Sequence, residues 1–85
     1  MIVWLSPEDA ISAITAAKKA GAALYGFDGA FLRGNTTQPS QADSWDYGSS
    51  SYPAVPHSYA HAIQFIKDRA AKGLHFEIVL GPPSN

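Results

Sequence analysis

The segment Pro56–Leu80, PHSYAHAIQFIKDRAAKGLHFEIVL, contains a helix pattern followed directly by a strand pattern. In the helix part, apolar residues recur at three- and four-residue steps, which predicts one buried stripe. These residues are Tyr59, Ala62, Ile63, Ile66 and Ala70. Gly73 is typical of the position just after a helix end. The first part of the segment therefore predicts a helix that ends before Gly73.

The residues after Gly73 alternate between two faces, which predicts a half-buried strand. Leu74, Phe76, Ile78 and Leu80 lie on one face, and His75, Glu77 and Val79 lie on the other. Gly81-Pro82-Pro83 then ends the strand, since proline cannot continue a sheet ladder.

A second helix is predicted near the N-terminus. Ser6 is a good N-cap, Pro7 suits the first helical position, and the two acids Glu8 and Asp9 favour the first turn. Apolar residues follow at helical spacing, and Gly21 is typical of the position just after a helix end. We expect a helix from Pro7 to about Ala20.

The residues after this helix predict extended structure. Ala22–Asp28 is a predicted strand, and Ala30–Arg33 is either a second strand or its continuation past Gly29. Gly34-Asn35 is a turn signal. Gly26 and Gly29 lie within the extended stretch, where glycine often marks a bulge or a close backbone approach.

The segment 36–56 is rich in small polar residues and contains no Lys, Arg, Leu or Ile. It predicts one long loop, and loops of this length are usually functional. The loop carries Trp45, Tyr47 and Tyr52, which are residue types enriched at protein interfaces. One interpretation is that these aromatics form a contact surface, and the other is that Trp45 packs on the sheet and anchors the loop. Both hold if Trp45 is buried while Tyr47 and Tyr52 are displayed.

These elements predict an α+β fold in which two helices cover one face of a small, mostly antiparallel sheet. The order is helix, strand, strand, loop, helix, strand, in a single domain over 1–85. A two-layer sandwich of this kind buries both helix stripes and one face of the sheet. The other face is only partly polar, so a homo-oligomer is one way to cover it.

Composition excludes several classes of protein. Of the 85 residues, 46% are hydrophobic and 15% are charged, which is not the composition of a disordered chain. Six Lys+Arg against seven Asp+Glu give a net charge of −1, so a basic nucleic-acid-binding face is not expected. With no cysteine, disulfides and thiolate chemistry are excluded. No apolar run is long enough to cross a membrane, and we expect a cytoplasmic protein.

Asp28, Asp43 and Asp46 are the acids of the central stretch, and Arg33 is its one cation. Paired carboxylates can perform acid–base catalysis, but no matched base, nucleophile and oxyanion site is visible in the sequence. We therefore expect no enzymatic activity and no cofactor. The acids are interpreted either as turn residues that bond the backbone or as an acidic recognition patch.

His57 and His61 are four residues apart, a spacing that places two metal ligands on one helix face. Asp43 or Asp46 could supply a third ligand. The alternative is that both histidines are ordinary exposed residues near a helix start, which is the interpretation we favour. We predict no metal site.

Four segments carry a resemblance to a known family: Ala10–Ile14, Gly26-Phe27-Asp28, Asp43-Ser44-Trp45 and Ser58–Ile66. Together they resemble the immunity protein 40 family of bacterial polymorphic toxin systems. The resemblance implies a cytoplasmic antidote that binds a cognate toxin domain and blocks its active site or its access to substrate. Within these segments, the resemblance singles out Asp28, Asp43 and Trp45 as positions that either hold the fold or contact the toxin.

The leading hypothesis is therefore an immunity protein that neutralises a toxin by stoichiometric binding. The predicted partner-binding residues are Asp28, Arg33, Asp43, Trp45, Asp46, Tyr47 and Tyr52. Two alternatives remain: an inhibitor of a host defence complex encoded by a phage or mobile element, and a small structural or oligomerising domain. Neither nucleic acid nor membrane is an expected partner.

Overall fold

A computed structural model describes residues 3–47 and 56–83, except for the side chains of residues 56, 57, 82 and 83. In chain order its elements are helix α1 (Pro7–Ala20), strand β1 (Ala22–Arg33), strand β2 (Thr36–Asp46), helix α2 (Pro56–Lys67), a 3₁₀ turn (Ala70–Lys72) and strand β3 (Leu74–Pro83). The three strands form an antiparallel sheet in the order β2-β1-β3. The predicted α+β class is confirmed.

The ends of α1 are where the sequence predicts them. The side chain of Ser6 accepts a hydrogen bond of 3.2 Å from the amide of Asp9, and Pro7 begins the helix. Gly21 ends it with φ of 71°, a left-handed conformation that glycine adopts without a Cβ clash. These local signals place α1 directly before β1.

The helices pack on one face of the sheet, which we call the core face. Residues paired across strands point to the same side, so Phe27 with Ile78 and Phe31 with Leu74 define that face. The buried cluster joins the core face to both helices. Its most deeply buried large apolar side chains are Phe27, Phe76, Ile14, Ile66 and Leu74. The opposite side, the open face, includes Asp28, Glu77 and Val79.

Ala30–Arg33 is the continuation of the first strand, one of the two predicted alternatives, because β1 runs through Gly29 to Arg33. Two other predictions for the strands are wrong. Gly81-Pro82-Pro83 does not end the last strand, because β3 continues to Pro83. The predicted loop over 36–56 is wrong for residues 36–46, which form β2. Asp43 is the one buried residue of β2, and this edge strand therefore lacks the apolar alternation by which strands are recognised.

The segment before α1 touches the outer edge of β3. Leu5 and Phe76 exchange two backbone hydrogen bonds of 2.8 Å, each amide donating to the carbonyl of the other residue. Among the described residues, neither helix has the length and apolar character required to cross a membrane.

Candidate functional site

A three-residue insertion in β2 shapes the edge of the sheet. Phe27 pairs with Trp45 and Gly29 pairs with Ser40, so Asp28 alone in β1 lies opposite residues 41–44 of β2. The hydroxyl of Ser44 closes this bulge: it accepts from the amide of Gly29 at 3.0 Å and donates to the carbonyl of Ser40 at 2.7 Å. The bulge therefore has a defined shape set by its own hydrogen bonds.

Asp43 ties the bulge to the end of α2. Its side chain is buried, and its Oδ1 accepts from Arg69 Nε and Lys72 Nζ, each at 2.8 Å. Its Oδ2 accepts from the Ser40 hydroxyl at 2.6 Å. Burial alone would raise the pKa of Asp43, but the bonds from Lys72, Ser40 and Arg69 hold it below its ordinary value. Asp43 is thus an ionised internal anchor, not a surface contact.

Gly26 and Gly29 allow the backbone of β2 to lie unusually close to that of β1. A Cβ at Gly29 would lie 2.5 Å from the carbonyl oxygen of Asp43, and one at Gly26 would lie 2.5 Å from that of Trp45. No side chain fits at such a distance. The prediction that these glycines mark a close backbone approach is confirmed.

An aromatic row lies where β2 meets α2. The ring of Trp45 is 4.8 Å from that of His61 and 6.0 Å from that of Phe65. The guanidinium of Arg69 lies 3.5 Å over the Phe65 ring. Trp45 is nevertheless 48% exposed, so the alternative in which it is buried as an anchor is wrong. Its indole is held on one side by α2 and faces solvent on the other.

Tyr47 lies deeper than predicted. It is half-buried against the core, and its hydroxyl is joined to His61 Nδ1 by a hydrogen bond of 2.6 Å. Burial raises the pKa of Tyr47 to about 12. Because the phenol stays neutral, it serves as the polar end of an aromatic packing residue.

A shallow cavity of about 270 Å³ opens beside the same edge. Its lining includes Asp28 and Asp46, and a neighbouring depression shares these two residues and Trp45. Asp28 and Asp46 are both exposed. We call the surface formed by Asp28, Gln41, Trp45 and Asp46 the Trp45 edge.

The remaining predicted site residues lie elsewhere. Arg33 is exposed at the far end of β1, where its guanidinium is 5.6 Å from the centre of the Phe31 ring, and the structure does not bring it to the Trp45 edge. Tyr52 lies outside the described residues, as does the side chain of His57. Within the described ranges, no group of three or more potential ligand side chains could hold a metal ion.

The sequence did not indicate the cations that hold Asp43. Arg69 and Lys72 are 26 and 29 residues away along the chain, and no local pattern in the sequence links them to Asp43. Phe65 and Tyr25 were also missed, although both border the site. The Ser40-x-x-Asp43 spacing was the one local signal of the anchored bulge.

Comparison with protein-family models finds no model that matches this chain, and comparison with curated proteins finds no matching relative.

Proposed function

We propose that this chain is a cytoplasmic immunity protein that binds a cognate bacterial toxin domain and neutralises it in a stoichiometric complex. The observation that carries the proposal is the exposed but immobilised indole of Trp45. Tryptophan is enriched among the few residues that dominate interface energies. A side chain already packed on one side loses little entropy when a partner covers the other.

The pairing of β1 and β2 supports the same function. Gly26-Phe27-Asp28 and Asp43-Ser44-Trp45, two motifs of the resemblance, lie side by side because Phe27 pairs with Trp45. One motif supplies the close backbone approach and the other supplies the anchor and the indole. Both therefore serve to present the Trp45 edge.

Charge adds a second feature to this surface. Asp28 and Asp46 are exposed and line the same depressions as Trp45, whereas Asp43 is buried against two cations. Exposed carboxylates around an aromatic contact favour a partner with a basic rim and speed its association. The catalytic cleft of a toxin that acts on a phosphate-bearing substrate has this character.

We propose that the cognate toxin is the C-terminal domain of a large protein encoded by a neighbouring gene, and the test uses this domain with the purified chain. We expect a 1:1 complex by light scattering and loss of the toxin's activity on titration. Trp45→Ala should weaken binding, measured by calorimetry, by roughly tenfold or more. The matched control is Leu32→Ala, which removes another exposed apolar side chain at the far end of β1.

The control should bind as tightly as the unchanged chain, and both variants should keep its melting temperature within a few degrees. No complex with that domain would contradict the immunity function. Equal affinity of the Trp45→Ala variant would contradict the placement of the contact surface.

A further inference from the structure

His61 is held between aromatic side chains of the candidate site. Its ring lies 4.8 Å from that of Trp45 and 5.7 Å from that of Tyr47, and the second pair is almost perpendicular at 88°. Phe65, one turn further along α2, lies 5.9 Å away. The residue as a whole is nevertheless exposed. The fold therefore fixes the orientation of an imidazole that a partner can reach.

Tyr47 determines where the proton of this imidazole lies. Its hydroxyl oxygen is 2.6 Å from Nδ1 of His61. A neutral imidazole has one N–H donor and one acceptor nitrogen, whereas a phenol can donate or accept. Burial raises the pKa of Tyr47 to about 12, so the hydroxyl keeps its proton near neutral pH. Because the lone pair of a phenol oxygen is delocalised into its ring, the hydroxyl is the better donor, and Nδ1 accepts.

That hydrogen bond leaves the proton of a neutral His61 on Nε2. The bond made by one ring nitrogen decides which of the two is protonated. Among the residues that the structure describes, none forms a hydrogen bond with Nε2. Nε2 is therefore an N–H donor whose direction is set by the packing against Trp45 and the bond to Tyr47.

We propose that His61 is a specificity residue beside the Trp45 edge, whose Nε2–H donates to an acceptor oxygen of the partner. The inference rests on the proposed immunity function for the identity of that partner. A donor that is already oriented loses little entropy when its acceptor arrives. It also discriminates between partners, because one without the acceptor would leave the N–H desolvated and unpaired.

The first test concerns the free chain. Long-range proton–nitrogen NMR spectra at about pH 8.5, where histidine is ordinarily neutral, distinguish the two tautomers. We expect only the Nε2–H tautomer of His61 in the unchanged chain, and a mixture of both in Tyr47→Phe, which keeps the packed ring and lacks the hydroxyl. His75 on β3 is the internal reference and should give the same signals in both chains. An Nδ1–H tautomer in the unchanged chain, or no change in Tyr47→Phe, would overturn the proposal.

The second test compares two amide replacements in binding to the proposed toxin domain. The amide nitrogen of glutamine extends about as far from the backbone as Nε2, whereas that of asparagine extends only as far as Nδ1. His61→Gln should therefore bind almost as tightly as the unchanged chain, and His61→Asn should bind roughly three- to tenfold more weakly by calorimetry, the range for one hydrogen bond. Both variants lose the ring beside Trp45, so their difference isolates the donor.

The outcome is separable from that of the immunity function. A toxin complex that forms equally well with His61→Gln and His61→Asn would refute the donor role and retain the proposed function. A single Nε2–H tautomer that becomes mixed in Tyr47→Phe, without any toxin complex, would support the positioned donor and remove the proposed function.

Discussion

Asp43 and Asp28 lie on opposite sides of the β1–β2 pair, and their carboxylates have opposite surroundings. Asp43 is 2% exposed and bonds to two cations and a hydroxyl. Asp28 is exposed and stands directly across from Glu77. The first carboxylate holds the bulge in place at the cost of immobilising three partners. The second contributes nothing comparable to the fold, which is why it is the better candidate for a contact with another molecule.

The largest expected difference between these two sites is in stability. Asp43→Ala should lower the free energy of unfolding by about 2–3 kcal/mol, because bonds to a buried charged group are lost and the Ser40 hydroxyl loses its acceptor. Asp28→Ala should change it by less than about 0.5 kcal/mol, as is usual for surface sites. Urea denaturation measures both values. Equal losses in the two variants would remove the distinction between anchor and contact.

The pH dependence of stability sharpens the same comparison. The pKa of Asp43 is lowered in the folded chain, so its contribution is fully present above the ordinary aspartate value of about 3.9 and is lost as the pH falls through the lower, folded value. Urea midpoints between pH 6 and pH 2.5 should therefore fall more steeply below about pH 4 in the unchanged chain than in Asp43→Asn. Parallel curves for the two chains would show that Asp43 is not ionised in its buried site.

The smallest expected effect has the opposite sign. Glu77→Gln should stabilise the chain by a few tenths of a kcal/mol, since it removes the repulsion between Glu77 and Asp28 across the strands. Glu8→Gln is the control and should destabilise slightly, because an acid in the first turn favours a helix. Thermal melts at low salt measure both changes. A gain that persists unchanged in 1 M salt would contradict the electrostatic explanation.

The parts of the fold predicted from sequence are those with a local cause. Ser6, Pro7 and Gly21 act within one turn of α1, and the alternation from Leu74 to Leu80 reports burial of one face of β3. The glycines at 26 and 29 likewise indicated the close approach of another backbone, although not which one.

The parts that were not predicted depend on distant partners. β2 has almost no buried side chain, so its extended structure comes from pairing with β1 and leaves no apolar pattern. Asp43 is held by Arg69 and Lys72, which are brought to it only by the packing of α2. Trp45 is half exposed because β2 is an edge strand, whereas tryptophan side chains are on average well buried.

The two edges of this small sheet bear on how the chain behaves at high concentration. Exposed strand edges recruit further strands and can seed fibres. Here the Leu5 pairing occupies part of the β3 edge, while β2 has no amide hydrogen at Pro39 and is interrupted by the bulge at residues 41–44. Lateral growth of the sheet is therefore disfavoured at both ends. The chain can thus reach a high concentration with little risk of fibrillation.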